Sequence, residues 1–477
     1  VEALARRFID SLKAERSEAG LLATLGAPDP EPSAAAYARA AAHPDLRDRL
    51  EAWVPGSLGT ARPGFAAQTL LAIAERRREA GTPLEIERFP QLPRLLGNSS
   101  FLARLLARRP DWLGEVEGAL PEPPPADVID ADWEAIRRAK YRGLLRVAAR
   151  DLAGRDFAGS LRELSDLADR CLDAGLRCAA AETGSPAPAL FALGKLGGRE
   201  LNFSSDVDLL FLHDVPAGGD AHACKEAAAR LVRLFKSRME APDADGFGYR
   251  IDLDLRPEGR SGVLTNSPDA ALTYYESFGA EWERQMLIRL RPLAGPPEIA
   301  AFFGDAIRPF VYRRLIDPGV MQSVRDMKSR IEDERRRAGR DLEFELKEGP
   351  GGIRDVEFFV QSLQLFFGGR HPDLQTGNVL DALAALERHA LLPAASPSAL
   401  ANAYLWLRRA EHALQLAEEQ QTQRLPRDPA GRLALARRMG YDAPEAAAAR
   451  ADLLDDWTTV RAEVRSRFEA LVLREEA

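Results

Sequence analysis

Gly194-Lys195-Leu196-Gly197-Gly198-Arg199-Glu200-Leu201-Asn202-Phe203-Ser204-Ser205-Asp206-Val207-Asp208 runs straight into the apolar stretch Leu209-Leu210-Phe211-Leu212, and a second apolar stretch, Ala189 to Leu193, stands just ahead of it. Both apolar stretches are short and bounded by Gly, Ser and Pro, so they predict two strands joined by a Gly-rich turn. Asp206 and Asp208 are two residues apart at the start of the second strand, which sends both carboxylates to one face while Val207 enters the core. Two like charges held this close repel, and burying them raises a pKa unless something positive sits between them. A divalent cation meets that need, and oxygen-only ligands favour Mg²⁺ or Mn²⁺, which typically pair protein carboxylates with substrate phosphates. Gly197 and Gly198 are expected to let a phosphate approach backbone N–H groups, and Ser204 and Ser205 to add hydroxyl donors.

Outward from this stretch, residues 221 to 240 carry Ala227, Leu231, Leu234 and Phe235 at helical spacing, and Tyr249 to Arg256 alternates strictly. Tyr249, Ile251, Leu253 and Leu255 point one way and Arg250, Asp252, Asp254 and Arg256 the other, which predicts a half-covered strand. Asp252 would be the third carboxylate of a two-metal site acting at phosphorus. Arg256, on the same face, is expected to neutralise charge on the transferring phosphate. Each piece alone has a plainer reading: Asp-x-Asp as a solvated strand end, Gly-Gly as a turn, the charged face of 250–256 as cross-paired. Their conjunction in one α/β stretch points to chemistry. A further candidate is Arg354, on a helix that follows Gly349-Pro350-Gly351-Gly352 with Glu357 and Gln361 on the same face. It is expected to reach a nucleotide phosphate, with Glu357 orienting it. The six histidines form no ligand pair at helical spacing, and Arg335-Arg336-Arg337 reads as a solvated helix face.

The rest of the chain sets the frame. The first 120 residues carry Ala, Leu and Arg at helical spacing, broken by Pro28 to Pro32 and followed by a linker at Pro121 to Pro125. Two amphipathic helices are predicted between Trp133 and Ala181. Helical stripes return after Phe302: Val320, Val324, Met327 and Ile331, then Ile353, Val356, Val360 and Leu363, then a long run from Leu400 to Gln423. The expected fold class is α+β and mostly helical, with a central α/β domain carrying a small mixed sheet. The expected domains are residues 1–130 (helical), 131–300 (α/β) and 301–477 (helical bundle). The 477 residues carry 73 acidic against 65 basic side chains, a net charge of −8. No overall cationic field is available to hold nucleic acid. Three cysteines without C-x-x-C spacing make neither a disulfide scaffold nor a zinc pattern, and fit a reducing cytoplasm. No signal peptide is visible, and the uncharged run from His389 to Leu407 is broken by Pro393 and Pro397, so no membrane partner is expected. The chain begins at Val1 and not with methionine, as a piece excised from a longer protein would.

The residues carry a resemblance to a known family. Leu95 to Ser99 with Pro110 to Leu113, Leu145 to Leu152, Gly194 to Asp208, Arg250 to Asp252, Leu255 to Gly262, Trp282 to Arg284, Gly351 to Phe358 and Glu411 to Gln415 follow one another in family order. Together they resemble the nucleotidyltransferase superfamily that includes DNA polymerase β. Within it they resemble the bifunctional glutamine synthetase adenylyltransferase/adenylyl-removing enzymes. Those enzymes have two related halves, and Glu200 to Asp206 looks like the amino-terminal, adenylyl-removing one. The resemblance implies a polymerase β-like central domain, with Asp206, Asp208 and Asp252 holding Mg²⁺ or Mn²⁺. Gly197, Gly198, Ser204, Ser205, Arg256 and Arg354 would hold nucleotide and phosphate. It also implies phosphorolysis of adenylyl-tyrosine on glutamine synthetase, giving ADP, in the cytoplasm. Adenylylated glutamine synthetase, a PII-type signalling protein and a second adenylyltransferase half are the implied partners. Two other readings stay open: adenylyl transfer from ATP to glutamine synthetase or another acceptor, and a non-catalytic module that binds a PII-type protein. Asp254 departs from many relatives, as an additional metal oxygen or as local variation.

Overall fold

The computed structural model describes residues 2–117, 129–313, 333, 342–393, 396–441 and 445–473. Both predicted strands form: β1 (Ala189–Ala192) and β2 (Val207–Leu212) pair antiparallel. β3 (Ile251–Asp252) lies parallel to β2, and β4 (Arg291–Ala294) antiparallel to β1, giving a mixed sheet in the order β3-β2-β1-β4. A parallel pair needs a long crossover, and the helix Ala221–Glu240 supplies it. Asp220 starts that helix by accepting hydrogen bonds from the backbone N–H groups of His222 and Ala223.

Both faces of the sheet are covered, which explains why β1 and the Leu209–Leu212 part of β2 read as unbroken apolar runs. Leu190, Ala192, Val207, Leu209 and Phe211 enter one core with the helices Trp133–Leu152, Phe157–Thr183 and Ala221–Glu240. Ala189, Phe191, Leu193, Leu210 and Leu212 enter another, against Ala271, Tyr275, Phe303 and Ile307 of the helices Pro268–Phe278 and Pro297–Val311. The first two helices match the predicted pair, each started by an aspartate: Asp132 caps Ala135 N–H and Asp156 caps Gly159 N–H. Pro28 to Pro32 does not end a helix but starts one, Pro30–Ala42, with Pro30 in the first turn where a missing N–H costs nothing.

The predicted strand Tyr249–Arg256 shortens to Ile251–Asp252. Arg256 is buried and donates to the carbonyls of Leu253, Arg260, Gly262 and Val263, which winds the chain out of the sheet two residues after Asp252. β4 carries Pro292 and no alternation, so no period marked it; it forms as an edge strand, where proline is tolerated.

One continuous core runs from the N-terminal helices (Phe8, Tyr37, Trp53, Leu105) into the α/β unit (Leu145, Leu172, Leu209, Phe235), across the boundary expected near residue 130. The C-terminal helices build a separate core around Ile353, Val360, Leu383, Leu407 and Trp457. The long helix Ser396–Glu418 links the two. Its last turn places Leu416 in the first core, where Ser99 Oγ donates to the Leu416 carbonyl at 2.6 Å. The Pro121–Pro125 linker, the stripe Val320–Ile331 and Arg335–Arg337 lie outside the described residues. Among the described residues, no helix is long and apolar enough to cross a membrane.

Candidate active site

β2 and β3 pair with Val207 opposite Ile251 and Asp208 opposite Asp252. Since side chains directly opposite share a face, this register sets the carboxylates of Asp208 and Asp252 side by side. Burial, reinforced by the charges of Asp252 and Asp206, pushes the Asp208 carboxyl up to about 6, against the pull of Lys347 and Lys195. Gly194 makes room for it: its φ is +51°, and a Cβ there would fall 1.9 Å from Asp208 Oδ2. The glycine facing the carboxylates is therefore Gly194. Gly197 and Gly198 face the chain itself, where a Cβ would fall 1.9 Å from the Arg289 carbonyl and 2.7 Å from that of Gly377. The Gly197 and Gly198 N–H groups, expected to meet a phosphate, donate to the carbonyls of Leu193 and Gly194 instead.

Asp206 stands at the entrance of the strand, with its carboxylate on Arg250, whose Nε donates to Oδ1 at 2.5 Å. Among the described residues, no three His, Cys, Asp or Glu side chains converge on a point where one metal ion would sit. The donor chemistry nonetheless fits a divalent cation. Asp208 and Asp252 are adjacent and mutually repelling, a repulsion that adds to burial in raising the Asp208 carboxyl. Asp254 is not part of this set: its Oδ2 accepts from Arg260 Nε at 2.7 Å, and its N–H donates to Asp252 Oδ1 at 2.7 Å.

The two serines divide. Ser204 Oγ donates to the Glu419 carbonyl at 3.0 Å and its N–H donates to Gln415 Oε1 at 2.9 Å, so it anchors the loop. Ser205 Oγ is buried and has no hydrogen-bond partner among the described residues. The structure corrects the expectation for Arg256, whose guanidinium is spent on four backbone carbonyls of its own loop and holds that loop together. Arg354 pairs with Glu348 at 3.3 Å and lies over the Phe358 ring. Glu357 orients Arg289 (3.0 Å) and not Arg354.

Sequence reasoning passed over the polar network behind the loop. The helix Ser396–Glu418 turns one face to residues 195–204. Tyr404 donates to Glu200 at 3.1 Å, Arg408 to Asn202 at 2.7 Å, and Glu411 accepts from Lys195 at 2.7 Å and from Asn202. Glu200 and Glu357 share Arg289, which donates to both. Burial opposes the charge on Glu357, but Arg289 and Arg408 hold it down to about 2. Burial pushes Lys195 down to about 8 despite Glu411. Lys195 and Lys347 both act electrostatically on Asp208, one from the Gly-rich turn and one from the segment before the helix Ile353–Phe367. The signals were in the sequence: Lys195 follows Gly194, Lys347 precedes Gly349-Pro350-Gly351-Gly352, and Tyr404, Arg408, Glu411 and Gln415 fall at helical spacing.

A small mixed sheet with in-register carboxylates, set in a mostly helical chain, defines a nucleotidyltransferase-like domain. Residues 89–305 match the family described as glutamate-ammonia ligase adenylyltransferase, and residues 325–472 match the family described as GlnD PII-uridylyltransferase. The chain is 37% identical over 392 residues, 75% of its length, to a protein of Thioalkalivibrio sulfidiphilus named bifunctional glutamine synthetase adenylyltransferase/adenylyl-removing enzyme. Proteins of the same name match from Nitrosococcus oceani, at 39% identity over 64% of this chain, and Stenotrophomonas maltophilia, at 37% over 78%. These alignments cover 40%, 33% and 42% of the three relatives, so the chain spans about two fifths of the length of the curated relatives it matches. The resemblance read from the motifs is borne out: the chain is a relative of the glutamine synthetase adenylyltransferases.

Proposed function

We propose that this chain removes AMP from adenylylated glutamine synthetase by phosphorolysis. The observation that carries the reading is the Asp208–Asp252 register beside Gly194, with Lys195 and Lys347 acting on the same carboxylate. The motif from Glu200 to Asp206, which resembles the removing half, supplies the direction. Inorganic phosphate attacks the α-phosphorus of adenylyl-tyrosine, the bond from phosphorus to the phenolic oxygen breaks, and the products are ADP and free tyrosine. The phenolate leaves with the electron pair and takes a proton; its pKa of about 10 makes it a leaving group that needs charge stabilisation but no strong acid.

Asp206, Asp208 and Asp252 would hold Mg²⁺ or Mn²⁺, which when bound supplies charge neutralisation at the attacking and leaving oxygens. Ser205 offers its unpartnered hydroxyl to a phosphate oxygen. Lys195 and Lys347 offset the negative charge that gathers beside Asp208 when phosphate and adenylyl group are both present. Arg354, half-buried and next to Lys347 in the chain fold, is a second-line cation for the nucleotide.

Glutamine synthetase as target follows from the relatives' name. The match of residues 325–472 to a PII-uridylyltransferase family supports a PII-type protein as regulator, and the coverage of the relatives supports a second catalytic half. Incubation with adenylylated glutamine synthetase, phosphate and Mg²⁺ tests the reading: ADP should appear with wild-type protein and not with Asp208→Asn. AMP transfer from ATP onto unmodified glutamine synthetase, without ADP release from the modified form, would assign the adding reaction instead.

A further inference from the structure

We infer that Arg250 is a built-in counter-ion of Asp206 that competes with the divalent cation for it, and that the end of the helix Ser396–Glu418 sets the strength of this competition through Ser204. This rests on the proposed cation site but not on the reaction assigned to it. Arg250 immediately precedes β3, and its side chain crosses to the start of β2 to donate to Asp206 at 2.5 Å. That carboxylate is neutralised before any cation arrives, and a guanidinium left beside an incoming cation would repel it. A cation that takes Asp206 therefore binds against Arg250, which holds Oδ1.

Arg250 is not a loose surface side chain. Its Nη2 donates to both the carbonyl (3.3 Å) and the hydroxyl (3.1 Å) of Ser204, and its guanidinium lies 5.5 Å from the Phe247 ring centre. The Ser204 hydroxyl in turn donates to the Glu419 carbonyl at 3.0 Å. Glu419, just beyond the helix end, has a φ of +53°, a conformation a non-glycine residue adopts only where its surroundings hold it. What holds it is Lys140, which donates to Oε1 at 2.8 Å, and Tyr141, which donates to Oε2 at 3.3 Å. Lys140 is itself buried among the rings of Tyr141, Phe247 and Tyr249. An unbroken series of direct bonds thus runs Lys140–Glu419–Ser204–Arg250–Asp206. It joins the helix Trp133–Leu152 and the C-terminal helical region to one carboxylate of the site. Ser204, Glu419 and Lys140 are positioning residues in this chain of contacts: moving the helix end moves the anchor of Arg250 and changes how readily Asp206 is released.

Manganese alone, titrated into the full chain without substrate and followed by electron paramagnetic resonance, tests this. Arg250→Gln should tighten Mn²⁺ binding about fivefold, the scale of a half-exposed ion pair. Ser204→Ala and Glu419→Gln should each tighten it by less, and Arg250→Lys should fall between wild type and Arg250→Gln. In an Asp206→Asn background the Arg250 substitution should change nothing, because the pair it relieves is gone. Unchanged or weaker Mn²⁺ binding by Arg250→Gln, tightening that persists without Asp206, or no Mn²⁺ bound by any of the proteins would overturn the inference. The readout is separate from turnover: tightening without ADP formation would count against phosphorolysis alone, and ADP formation without tightening against the counter-ion alone.

Discussion

Asp208 carries three demands at once: it is the second residue of β2, it stands opposite another carboxylate, and it must be charged to hold the proposed cation. Asp208→Asn keeps the shape and removes the charge, so turnover should fall about a hundredfold or more, the scale of losing one preorganised charge interaction. Circular dichroism should remain that of the native fold. Asp206→Asn should behave likewise in turnover. Gly194→Ala forces a side chain into a φ of +51° and into Asp208 Oδ2, so it should lose both activity and Mn²⁺ binding while the distant cores stay intact. The raised Asp208 pKa also has a stability consequence in metal-free protein. The folded state holds the proton up to about pH 6, while the unfolded chain gives it up near 3.8. This contribution is therefore full below 3.8 and is lost as pH rises through 6. Urea unfolding of the metal-free protein should show that loss between pH 4 and 6, and Asp208→Asn should flatten it; equal slopes in the two proteins would contradict the assignment.

At the scale of elements, the helix Ser396–Glu418 is the part whose role is least conventional: it packs its own bundle at one end and grips the loop before β2 at the other. Arg408 is fully buried and bonds Tyr404, Asn202 and the Glu200 carbonyl. Replacing it with Leu would leave those acceptors and Glu411 without their cation, so Arg408→Leu should cost about 3–5 kcal/mol in chemical denaturation. A loss under 1 kcal/mol would show that the network does not hold the loop. The elements were legible where one periodicity governed them. β1 is apolar on both faces and β2 is so after Asp208, and the helices Phe157–Thr183 and Ala221–Glu240 carry single stripes behind aspartate caps. They were illegible where a distant partner decided the outcome. Tyr249–Arg256 alternates perfectly, yet Arg256 leaves the pattern because four carbonyls of its own loop outbid the solvent. Spacing alone marked Asp206, Asp208 and Asp252 as candidates, and the register sets two of them, Asp208 and Asp252, side by side. The partners of Glu200, Asn202 and Ser204 could not, since they arrive from a helix two hundred residues away in sequence.

For the whole molecule, the continuous core from the N-terminal helices into the sheet and the polar grip of the C-terminal helix make the carboxylate site the meeting point of three regions. The helical arms fix the loop that leads into Asp206, and the sheet fixes Asp208 against Asp252. The match of residues 325–472 to a second family puts a region with its own relatives in direct contact with that loop. Phosphate as the proposed attacking group at this site is checked by supplying labelled inorganic phosphate with adenylylated glutamine synthetase and Mg²⁺ and locating the label in the nucleotide released. ADP should carry the label in its β position and the tyrosine should stay unlabelled; release of free AMP, or of ADP without label, would rule phosphate out as the attacking group.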